Sequence, residues 1–145
     1  MRIKLLILMI LAAAVSAPAQ KGLEIAGIFD GRYHDNPNAV ETVITHNKML
    51  NEYRLKVYHG LTVTGDSDAA EAISKAVAAD GKSAEDRELV YKNGQPYYCF
   101  YVMPQKNGRN RYIFFLNQYA TGGEKAMLIY LEGKADRETV KKLFK

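Results

Sequence analysis

The sequence predicts an α+β fold in which one antiparallel sheet, a four-strand C-terminal meander plus one or two N-terminal strands, carries about three short helices on one side. Three observations point there. Asn93-Gly94, Asn107-Gly108 and Gly122-Gly123 punctuate four strand-like runs, as tight hairpin turns do. Residues Tyr53 to Thr64 alternate like a strand with one dry side. No helical pattern separates the four runs, so a parallel, doubly wound sheet is disfavoured.

The chain of 145 residues opens with two cations, Arg2 and Lys4, then the apolar run Leu5 to Val15, then Ala17-Pro18-Ala19. These are the three regions of a secretory signal peptide, with cleavage expected after Ala19. The apolar run is too short to cross a bilayer, and no later run reaches spanning length, so no transmembrane anchor is expected. No cysteine follows the cleavage point closely, which excludes the lipoprotein route. Residues 1–19 are thus read as signal peptide and 20–145 as a single α+β domain, exported to the periplasm or beyond.

Leu23 to Phe29 gathers Leu23, Ile25, Ile28 and Phe29 loosely on one side of a two-turn helix that Gly31 ends. Gly31 to Asn38 has loop chemistry. Val40 to His46 reads as a strand, with Val40, Thr42 and Ile44 alternating against Glu41, Val43 and Thr45. In the next strand Tyr53, Leu55, Val57, His59, Leu61 and Val63 share the dry side. Asp68 and Glu71 form a capping pair for an Ala-rich helix from Ala69 to Asp80, with Ala69, Ile73, Ala76 and Val77 inward and Gly81 as its stop. The meander then runs through Glu88 to Lys92, Tyr97 to Met103, Arg111 to Tyr119 and Lys125 to Leu131. Asp136 caps a last helix in which Val140, Leu143 and Phe144 share a face.

Several strings along this order carry a likeness. Residues Ile28 to Pro37 (IFDGRYHDNP), Met49 to Val63 (MLNEYRLKVYHGLTV), Tyr112 to Asn117 (YIFFLN) and Leu128 to Asp136 (LIYLEGKAD) resemble a family of small exported domains of unknown function from Gram-negative gut commensals. The terminal strand ending in Glu-Gly, followed by a capped helix, is similar to a second, broader group of exported domains. The resemblance implies a fold and an address, and no reaction.

Charge narrows the partners. Without Arg2 and Lys4 the balance is 18 basic against 16 acidic residues, scattered along the chain, which argues against nucleic acid as a partner. The basic turn Lys106, Arg109 and Arg111 then reads as a solvated hairpin tip. Cys99 is the only cysteine, so an intrachain disulfide and a multi-cysteine zinc site are both excluded. Mid-strand among aromatics, it is expected to be a packed thiol.

Catalytic patterns are sparse. Gly65-Asp66-Ser67 has the form of the start of a lipase-like hydrolase motif, and Ser67 on a strand-to-helix turn is a possible nucleophile. However, His34, His46 and His59 all precede it, and a helix cap explains the same residues. The polar loop with Asp30, His34, Asp35 and Asn36 lacks the spacing of a calcium loop, and His59 shares parity with core residues, so no metal site and no cofactor are expected. Asp66, Asp68, Glu85, Asp86 and Glu88 could supply a glycosidase carboxylate pair, yet acids at helix starts need no such explanation.

The positive signal is aromatic. Ten tyrosines and no tryptophan are present, with most of the tyrosines in the meander on both parities. Short helices on one side leave the other side to a partner, for which half-dry tyrosines are suited. The expected function is a non-enzymatic exported binding or interaction module. Tyr97, Tyr101, Tyr112 and Tyr119 are its candidate interface residues, and its partner is a protein, peptide, glycan or second copy. The alternative is a small periplasmic hydrolase using Ser67 or a carboxylate pair.

Overall fold

The computed structural model describes residues 22–144, and the signal segment expected at 1–19 lies outside the described residues. Six strands, β1 (Ala39–Thr45), β2 (Leu55–Thr64), β3 (Asp86–Lys92), β4 (Gln95–Lys106), β5 (Arg109–Asn117) and β6 (Lys125–Gly133), form one sheet in the order β1-β2-β6-β5-β4-β3. Every pairing is antiparallel. Three short helices, α1 (Lys48–Glu52), α2 (Ser67–Gly81) and α3 (Arg137–Lys142), and 3-10 turns at Glu24–Gly27 and Gln118–Thr121 complete the described residues.

This corrects the expected fold class. The molecule is mostly sheet, a single six-stranded layer, and its helices stand on both faces. The reason lies in β6, which pairs with β2 along its whole length and merges the N-terminal strands with the later ones. Strands β4 to β6 are apolar on both sides, so burial drives cover onto each. On the first face, α2 and the Glu24–Gly27 turn lay Ile73, Val77 and Ile25 over Leu61, Phe115 and Leu128. On the second, α1 and α3 set Leu50 and Val140 against Leu55, Phe100 and Leu131.

Local chemistry explains most element ends. Asn93-Gly94 and Asn107-Gly108 hold φ of 52°, 75°, 54° and 73°, so both central residues of each turn are left-handed, as a two-residue hairpin turn of type I′ requires. Asp66, not Asp68, caps α2 by accepting from the Ala69 N–H at 3.0 Å. Gly81 lies inside α2, where a Cβ would come 2.7 Å from the Tyr101 ring, so it serves close packing and is not the stop. The helix expected over Leu23 to Phe29 is only the 3-10 turn, tied by the buried Asp80 carboxylate, which accepts from Glu24 N–H and Ile25 N–H at 2.7 and 2.9 Å. Tyr119, expected in a strand, sits in the second 3-10 turn.

Two departures shape the second face. Helix α1 lies between the two expected N-terminal strands, where no element is expected from the sequence; Asn47 starts it by accepting from the Met49 and Leu50 N–H groups at 2.8 and 3.3 Å. A bulge between Leu55 and Val57 then breaks the alternation, so Leu55 joins the second-face core while Val57 stays with the first.

Candidate functional site

The side chains of the second face form rows across the sheet. One row is Val40, Thr62, Met127, Leu116, Tyr98 and Val90, each directly opposite the next through all six strands. It carries no charge. Val40 is 67% exposed and Val90 44%, and the four between them are half-buried. Six strands at ~4.8 Å spacing make the row roughly 24 Å long.

Cover on this face is confined to one end. Helix α3 lies over β3 to β5, where Arg137 pairs with Asp86 and Glu88, and Lys141 holds Glu88 at 2.7 Å. Its last ring, Phe144, stacks on Phe114. Helix α1 closes the corner where β1 turns into β2. Between α1 and α3 runs a groove of about 500 Å³ walled by Ile44, Met49, Tyr58, Ile129, Leu143 and Phe144. Ile129 and Met127 are next neighbours on this face of β6, so row and groove form one L-shaped apolar surface of a few hundred Å², a patch size that is often functional on a soluble monomer. Burial pushes the Tyr58 and Tyr98 phenols up from their ordinary value. Apart from the hydroxyls of Tyr58, Thr62 and Tyr98 the surface is apolar, so its burial against an apolar surface would be favourable.

The four tyrosines expected to form one interface are not brought together. Tyr101 is 2% exposed in the first-face core and Tyr112 is 2% exposed in the second-face core, its hydroxyl donating to the Ala135 carbonyl at 2.7 Å. Tyr97 lies beneath Lys92, whose Nζ is 4.2 Å from the ring centroid. Tyr119 packs on the edge of the first-face core.

Tyr98, Leu116, Met127 and Thr62 line the open row and were not singled out by sequence reasoning. Counting pairs outward from Asn107-Gly108 puts Tyr98 opposite Asn117, but an irregularity between Met103 and Lys106 shifts its partner to Leu116. The uncharged Thr62-Val63 and Met127-Leu128 dipeptides were the available signal.

The residues weighed for catalysis are dispersed. Ser67 borders a cleft of about 470 Å³ with Glu71, Ser74 and Gln95, and no histidine lines it. Asp66 is occupied as a cap and by Asn36, whose Nδ2 donates to it at 2.8 Å, and both bonds hold its carboxyl below the ordinary range. His59 is buried in the first-face core, with Nε2 2.7 Å from Glu41 and its ring 3.8 Å from that of Phe29. Among the described residues, no three His, Cys, Asp or Glu side chains group as a metal site would require. Also among them, no helix is long and apolar enough to cross a membrane. Burial pushes the Cys99 thiol up.

No curated protein and no solved structure matches the chain. A family model, the family of unknown function DUF6108, matches residues 12–144, nearly the full length, and the chain belongs to that family.

Proposed function

We propose that this protein is an exported, non-enzymatic interaction module of Gram-negative bacteria that docks an apolar partner on the second face of its sheet. Export is read from the tripartite segment at residues 1–19, and the bacterial origin from the likeness in four strings of the sequence. The observation that carries the docking reading is the uncharged row Val40-Thr62-Met127-Leu116-Tyr98-Val90, which crosses the entire sheet with its two end residues exposed and its four middle residues half-buried at the margin of the second-face core. Burying such a strip yields about 25 cal/mol per Å² before the costs of association, and the adjoining groove adds area at no further ordering cost.

The test is an environment-sensitive apolar dye titrated into protein held at submicromolar concentration. Dye emission should rise and blue-shift with the native protein and fall at least fivefold with Leu116→Glu, whose thermal melt stays cooperative. Equal dye binding by both proteins defeats the docking reading. N-terminal sequencing of the protein from a cell-envelope fraction should begin at Gln20; an intact Met1 there overturns the export reading.

A further inference from the structure

We infer that the occupant of the second face is a second copy of this chain, related by a two-fold axis that lies along the exposed row. This deepens the docking reading and rests on it. Two sheets packed face to face admit two simple axes within the interface, one along the row and one along the strands. They differ in where the helices go.

An axis along the strands, between β5 and β6, keeps both copies of α3 at the same end. Each α3 then lies on the groove of the other copy, with its outward Glu138 and Lys142, both exposed in the monomer, against Ile129 and Tyr58. Charges desolvated on an apolar floor without partners oppose that arrangement. An axis along the row instead stacks Val40, Thr62, Met127, Leu116, Tyr98 and Val90 each on its own copy. It reverses the strands, so each α3 passes beyond the row to the other end of the partner's sheet. No helix stands there on this face, because α1 and α3 both sit at the opposite strand ends. Instead the Asn93-Gly94 turn and its exposed flanks Lys92 and Gln95 stand at that end of β3 and β4, polar groups that offer Glu138 an opposite charge and leave neither it nor Lys142 on an apolar floor.

The area suits a weak dimer. The row lies about two residues from the open strand ends, Met127 from Lys125 and Val90 from Lys92. Sheets stacked about it therefore overlap over about 13 Å of strand and roughly 24 Å of width, on the order of 300 Å² in projection, the footprint of a small and weak interface. An uncharged centre with charged residues at the rim is the usual composition of such an interface. A dissociation constant of about 1–100 µM is expected for this size without a deep anchor pocket.

Sedimentation equilibrium over submicromolar to several-hundred-micromolar protein, together with crosslinking by a bis-maleimide of about 10 Å reach, the usual spacing of stacked sheets, tests the proposal. The native protein should convert from monomer to dimer, and Leu116→Glu should remain monomeric. Val40→Cys should crosslink to itself, whereas a mixture of Val40→Cys and Val90→Cys should give no mixed product, because the row axis keeps those ends apart. A monomer at every concentration, or the mixed Val40–Val90 product, overturns the inference. A monomer that still binds the dye in a Leu116-dependent way sinks only this inference, since the docking reading then stands with a different partner.

Discussion

The ring of Phe144 lies over that of Phe114 with centroids 4.2 Å apart and planes 2° from parallel. Through this contact the C-terminal end of the described chain is anchored to the centre of β5. A helix as short as α3 has little stability of its own. It is held by the Asp136 cap, by Arg137 and Lys141 on β3, and by this stack. Replacing Phe144→Ala should lower stability by about 1–3 kcal/mol, since the ring is half-buried, and should widen the groove. A urea midpoint shifted down with unchanged slope is the expected result.

Gly133 meets the bulge of β2. A Cβ there would sit 2.6 Å from the Arg54 carbonyl oxygen and 2.7 Å from the Leu55 Cα, both backbone atoms with no freedom to retreat. Gly133→Ala should therefore cost more than about 2 kcal/mol and disturb the placement of Leu55 on the second face. Thermal melting monitors the first effect, and the dye titration the second.

The acid limb of stability should reflect the helix caps. The Asp136 carboxyl is held below its ordinary value chiefly by the Thr139 N–H, and that of Asp66 by the Ala69 N–H. Because both folded values lie below the unfolded one near 4, their stabilisation is present above pH ~4 and is lost as pH falls through the folded values. Asp80 has the opposite sign: burial raises it, so its favourable contribution belongs to the protonated form and fades as pH rises through the raised value. Asp136→Asn should flatten the loss below pH ~4 while keeping α3 in place. An unchanged acid limb in both Asp136→Asn and Asp66→Asn counts against the caps as its source.

Cys99 is 1% exposed, and burial raises its thiol above the ordinary value. It should react with a maleimide at a rate set by unfolding, at least a hundredfold slower in the native protein than in urea. Rapid native labelling would show an opening of the sheet beside α2.

Legibility divided along physical lines. Elements specified by neighbouring residues could be read: the Asn-Gly turns that require two left-handed residues, the alternation of Leu61 and Val63, the cap at Asp136, the stripe of Ile73 and Val77 on α2. Helix α1 escaped because its five residues carry no full period, leaving only Asn47 as a signal. The placement of the tyrosines could not be read, because one residue's parity does not say which face is roofed; Tyr101 and Tyr112 lie under opposite roofs.

The amino-acid sequence by itself determined the local turns and caps and the presence of strands with two dry sides. Tertiary structure alone decided that β6 joins β2, that the bulges at Leu55 and near Met103 shift the register, and that α2 and α3 settle on opposite faces. Those outcomes depend on contacts between residues far apart in the chain, and a shift of one residue in pairing moves a side chain to the other face, so neither periodicity nor composition contains them.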